Sequence, residues 1–181
     1  MMIPDTVQTD DWDVVWDYTM GLPEENGFEK VISGNPAINM TSTSLSIIPS
    51  VGYVRYEPIG FEICNEGIYE ERIVFASFTS VNGNRMILSN DDAGVRGLQI
   101  YMSSYSIKYQ KSNGNIIANL NIGQEYIIRI ERRNNVNYVY LDGEKIFESE
   151  DSNTQYAAGN RIFFQGGGEY FLKSIKFKKI S

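Results

Sequence analysis

Gln124–Glu148, QEYIIRIERRNNVNYVYLDGEKIFE, is the stretch that decides the fold. Its first half alternates, so Tyr126, Ile128 and Ile130 fall on one face and Ile127, Arg129 and Glu131 on the other, the period-2 pattern of a strand with one buried side. Asn134-Asn135 marks a turn and Val136–Leu141 a second strand. Asp142-Gly143 then predicts a two-residue hairpin, because both central positions of a type I′ turn need positive φ. Glu144–Glu148 returns as a third strand. Three such strands cannot bury their apolar face alone, so a second sheet must cover them. Near the carboxyl end the same alternation sends Ile175 and Phe177 inward with Ile128 and Ile130, and turns Lys176 and Lys178 outward.

Outward from that centre the pattern repeats. Thr9–Met20 predicts a short strand whose Trp12 and Trp16, four residues apart, share a face and pack in the core rather than forming a sugar platform. Leu22-Pro23-Glu24-Glu25-Asn26-Gly27 predicts one helical turn, with proline at a first helical position. Phe28–Ile32, Ala37–Met40 and Ser44–Ile48 read as strands, the last two a hairpin with a solvated Ser/Thr-rich outer face. Gly52–Cys64 is strand-like but interrupted at Pro58, which marks an edge or a bulge, and at Gly60. Tyr69–Thr79 is apolar on both faces in its middle, as a central strand is. Met86–Ser89, Gly97–Met102, Ser106–Gln110 and Ile116–Leu120 complete about twelve to fourteen short strands, the count expected of an all-β sandwich.

The motifs IGQEYIIRIERRNNVNYVYLDGEKIFE (122–148) and GEYFLKSIKFKKI (168–180) resemble the second half of a concanavalin A-like lectin/glucanase domain of the laminin G-like type. The resemblance is good over residues 80–180 and loose over 12–80. It implies a jelly-roll sandwich of two antiparallel sheets, with residues 1–11 an amino-terminal extension and 12–181 a single lectin-like domain. It also implies adhesion or recognition, most plausibly of a glycan or cell-surface polysaccharide. Likeness to stand-alone lectin-like modules of bacterial viruses extends the expectation to a tail or capsid decoration protein. The alternatives are a structural module joining virion or surface proteins, and a degenerate glycoside hydrolase.

Composition narrows the chemistry. With Lys+Arg 16 against Asp+Glu 23, the net charge is −7 and the pI about 4.7, which disfavours a nucleic-acid partner. Histidine is absent from the sequence, which removes Ser-His-Asp and Cys-His catalysis and the usual zinc sites. The single cysteine, Cys64, reads as a small buried hydrophobe. The first residues show neither a basic nor an apolar region of a signal peptide, and no apolar run is long enough to span a membrane. Synthesis in the cytoplasm is therefore expected, with virion association as the route outward.

Four constellations could carry function. Glu62-Ile63-Cys64-Asn65-Glu66 resembles the Glu-x-Asp-x-Glu strand of laminarinase-type hydrolases, but Cys64 replaces the aspartate that would tune the pair, so the expectation is a solvated strand face and no enzyme. Asn90, Asp91 and Asp92 offer hard oxygen ligands for calcium, although such residues also populate turns for backbone reasons. Tyr101, Tyr105 and Tyr109 lie among Ser103, Ser104 and Ser106, either as a sugar platform or as ordinary cross-strand pairs. Alternation turns Gln99 and Tyr101 outward, whereas Tyr105 and Tyr109 share the face of Ile107 unless a bulge intervenes. Lys173, Lys176, Lys178 and Lys179 read as a solvated face guarding a terminal edge strand.

Overall fold

The computed structural model describes residues 11–61, 66–78, 84–88, 98–103, 106–109, 116–134, 136–150, 161–165 and 168–180. Among them the chain forms fifteen strands. These are β1 (Val14–Asp17), β2 (Phe28–Ser33), β3 (Ala37–Met40), β4 (Leu45–Ile48), β5 (Tyr53–Pro58), β6 (Gly67–Phe78), β7 (Asn84–Leu88), β8 (Leu98–Ser103), β9 (Ser106–Tyr109), β10 (Ile116–Asn119), β11 (Glu125–Arg133), β12 (Val136–Leu141), β13 (Glu144–Glu150), β14 (Arg161–Gln165) and β15 (Gly168–Lys179). The first sheet runs β13-β12-β11-β6-β15-β4-β3, with β1 also paired to β15. The second runs β10-β9-β8-β7-β14-β5-β2. The described pairings are antiparallel throughout, the arrangement expected of a jelly-roll sandwich.

The meander expected over residues 124–148 is present. β11 pairs with β12, which pairs with β13, and Asp142 and Gly143 take φ of 51° and 85° between the register partners Leu141 and Glu144. Asp142 also fastens this turn to β11, accepting the Ile127 N–H at 2.8 Å through Oδ1 and donating its own N–H to the Ile127 carbonyl at 2.8 Å. Ile128, Ile130, Ile175 and Phe177 are all fully buried between the sheets. Burying each contributes about 1.5–3 kcal/mol against leaving it in water. Rings from opposite sheets close the core: Phe28 on β2 lies 6.4 Å from Phe177 on β15, and Phe164 on β14 lies 5.4 Å from Tyr170 on β15.

Among the described residues, a carboxylate sits in that core. Glu71 points inward from β6 between the register partners Ile128 and Ile175, and the Tyr69 hydroxyl donates to it at 2.9 Å. Burial, then the neighbouring Glu71 charge, pushes the Tyr69 and Tyr170 phenols well above their usual range.

Several local readings need correction. β6 is central as expected, but β15 is not an edge strand; it lies between β6 and β4, so its lysines face solvent from the middle of a sheet. β5 is likewise interior, and Pro58 is tolerated because it is the last residue of the strand. Ser44 and Ser46 are buried rather than solvated, Ser46 lying 3.5 Å from the Glu169 carboxylate. The helical turn after Leu22 is present as a 3-10 turn over Pro23–Glu25. At the crossing from β4 to β5, Gly52 packs so tightly on β2 that a Cβ there would sit 1.7 Å from the Ser33 carbonyl oxygen.

Candidate functional site: the outer face of the first sheet

Cross-strand register assembles a polar surface from residues far apart in sequence. Lys145 on β13, Tyr140 on β12, Arg129 on β11, Glu70 on β6 and Lys176 on β15 are successive register partners, and they form one row across five strands. Alternation places them on the face opposite Ile128 and Ile130. The next row carries Glu148, Tyr138, Glu131, Ile68 and Lys178.

Glu70 anchors the first row. Arg129 donates to its Oε2 from Nε at 2.9 Å and from Nη2 at 2.6 Å, while Lys176 Nζ reaches Oε1 at 3.2 Å. Glu131 is the second anchor, with Arg133 Nη2 at 3.0 Å from Oε2 and Arg129 Nη1 at 3.8 Å from Oε1. The Tyr140 hydroxyl lies 3.5 Å from Glu131 Oε2. Glu131 is almost wholly covered, and its burial pushes the carboxyl above the usual carboxylate range although Arg133 and Arg129 pull the other way. Tyr140 is raised too, first by burial and then by Glu131.

Two aromatic rings stand on this floor. Trp12 is half-buried and lies outside any strand, and its ring centroid is 5.6 Å from Arg129 Cζ and 5.4 Å from Lys176 Nζ. Both cations bind Glu70, so the indole spans the strand between them. Its neighbour Asp13 fixes the approach, donating its N–H to the Phe177 carbonyl at 3.1 Å and accepting the Lys179 N–H at 2.6 Å. The sequence reading had paired Trp12 with Trp16 in the core. Only Trp16 is there, fully buried and donating from Nε1 to the Gly21 carbonyl at 2.9 Å, because β1 begins at Val14 and strand alternation does not extend back to residue 12. The second ring, Tyr138, is half-buried, with its centroid 5.4 Å from Arg133 Cζ and 5.7 Å from Lys145 Nζ.

The other sequence candidates fall elsewhere. Gln99 and Tyr101 are on β8 and Tyr109 on β9, in the second sheet, and their side chains lie outside the described residues. Tyr105, the turn Asn90-Asp91-Asp92, Glu62 and Cys64 also lie outside them. Glu66 is described, and its carboxylate accepts the Asn134 N–H at 2.6 Å at the β11–β12 turn. Lys173 pairs with Glu125 at 2.5 Å, and Arg72 joins the same carboxylate. What the sequence reading missed was the partnership of Arg129, Glu131 and Arg133, whose alternating charges on one strand face were the signal available.

No protein-family model matches the chain, and no curated protein sequence does. Solved structures do. The chain is similar to the carbohydrate binding module CBM66 from Bacillus subtilis, with a TM-score of 0.62 at 13% identity over 84% of this chain and 96% of that one. It is also similar to the exoplasmic/lumenal domain of VIP36 in its Ca2+/Man-bound form, with a TM-score of 0.63 at 9% identity over 86% and 84% of the two chains. A third likeness is the alginate lyase from Corynebacterium sp., with a TM-score of 0.61 at 10% identity over 81% and 82%. These likenesses are of fold, a lectin-like β-sandwich that a carbohydrate binding module and a lyase both carry.

Proposed function

We propose that the protein is a non-catalytic recognition module whose ligand is carbohydrate, held on the outer face of the first sheet. The observation that carries this reading is Trp12, which lies half-exposed over the Arg129–Glu70–Lys176 row. Indole is the side chain best suited to stack on the apolar face of a sugar ring, and the ion pairs beside it offer donors and acceptors to the hydroxyls. Support comes from the similar structures, one titled a carbohydrate binding module and another a Ca2+/Man-bound form.

A glycan array followed by calorimetric titration tests the reading. Trp12→Ala should weaken a confirmed ligand at least tenfold, about 1.4 kcal/mol. Its cost in stability should stay near the roughly 1 kcal/mol of an exposed cation–π contact. Tyr101→Ala is the matched control, because the sequence reading placed the sugar platform there. Loss with Tyr101→Ala and none with Trp12→Ala would move the site to the second sheet. Absence of catalysis is tested directly: mixed-linkage and β-1,3-glucans should remain intact on long incubation, with Glu66→Gln indistinguishable from the parent chain. We extend the proposal to the surface of a bacteriophage particle as the place of action, which particle proteomics would test.

A further inference from the structure

Trp12 and Tyr138 stand on one face, each with two cations against its ring. Trp12 lies over the row through Glu70 on β6, whereas Tyr138 is on β12, two strands away, and pairs with Glu131 one pleat repeat beyond Arg129. From strand spacings of about 4.8 Å and a rise of about 3.4 Å per residue, the rings are on the order of 10–12 Å apart. The floor between them is Arg129, Glu131 and Tyr140, groups that can exchange hydrogen bonds with hydroxyls.

Each of the three carboxylates on this floor already holds a cation. Arg129 and Lys176 hold Glu70, Arg133 holds Glu131, and Lys145 holds Glu148 at 2.9 Å. An anionic ligand would have to compete with those carboxylates for Arg129, Lys176, Arg133 and Lys145 and approach a chain of net charge −7. Hydroxyl groups can instead donate to these carboxylates and accept from these cations without breaking the ion pairs.

Building on the carbohydrate reading above, we propose that the ligand is an extended, uncharged oligosaccharide that lies across the strands and touches Trp12 and Tyr138 together. A single sugar unit reaches one ring only. A chain long enough to reach both gains the second contact as an intramolecular event, so its affinity rises steeply with length and then levels off.

Titration of the full chain with neutral gluco-, manno- and arabino-oligosaccharides of one to six units, beside oligogalacturonates of the same lengths, tests this. In the neutral series that binds, Kd should fall at least tenfold from the single unit to the plateau. Trp12→Ala and Tyr138→Ala should each abolish that length dependence. Tyr138→Phe should retain it, and thermal unfolding confirms that the variants are folded. A length-independent Kd, unchanged plateau affinity in Tyr138→Ala, or preference for oligogalacturonate would overturn the inference and leave carbohydrate recognition standing. Failure of every glycan on a broad array to bind would overturn recognition itself.

Discussion

Ile130→Ala removes a fully buried side chain whose register partners, Tyr69 on β6 and Val139 on β12, are also fully or almost fully buried. Truncation of a core isoleucine costs roughly 2–5 kcal/mol, with the larger losses where the surroundings cannot collapse into the space. Strands paired on both sides hold this site open, so about 3–5 kcal/mol is expected. For a domain of this size each kcal/mol moves Tm by roughly 2–4 °C, which puts the fall at roughly 6–20 °C. Ile127→Ala is the internal control. Ile127 is on the opposite face of the same strand and 40% exposed, so its loss should cost less than about 1 kcal/mol. Urea unfolding curves with an unchanged slope would give both values from their midpoints. If Ile127→Ala proved as costly as Ile130→Ala, the register of β11 would be wrong by one residue, and the outer-face rows would dissolve with it.

Two further outcomes follow from the ion pairs. Glu70→Gln leaves Arg129 and Lys176 without their shared carboxylate and should cost about 1–3 kcal/mol by thermal unfolding, whereas Glu148→Gln, at a more exposed pair, should stay within about 0.5 kcal/mol. A loss at Glu148 equal to that at Glu70 would contradict the burial argument. The pH dependence separates two other glutamates. Burial raises Glu131 in the folded state, so the folded chain binds its proton more readily and its contribution to stability falls as pH rises through the window above the ordinary carboxylate range. Glu131→Gln should remove that downward slope. Glu125 is lowered, chiefly by its hydrogen bond to Lys173, so it contributes stability above the ordinary carboxylate range that is lost as pH falls through its lowered value. Glu125→Gln should remove that acid-side loss, and unaltered pH profiles in both variants would refute the assignments.

The legible part of this fold was local. Alternation in 126–131 and 175–178 fixes which side chains face inward, and Asp142-Gly143 fixes the hairpin, because both depend on nearest neighbours along the chain. Strand order is set by pairing between distant segments, and that is why β15, expected at an edge, and β5, where Pro58 suggests an edge or a bulge, lie inside their sheets. The candidate site was hidden for the same reason. Glu70, Arg129, Tyr138 and Lys176 come from four strands and meet only through register, and Trp12 joins them from outside the sheet by packing on Arg129 and Lys176. Ser46 shows a third limit, since a polar residue on an outer face is expected in water until a neighbouring strand brings Glu169 beside it.

The chain has two tryptophans, so two indole N–H signals report on two environments. Trp16 donates to the Gly21 carbonyl from within the core, and Trp12 stands on the outer face of the first sheet. Following both signals by NMR while titrating a glycan identified on the array tests the central claim most directly. Recognition on this face predicts that the Trp12 signal moves in proportion to occupancy while the Trp16 signal stays in place. Saturable binding with the Trp12 signal unmoved would contradict it.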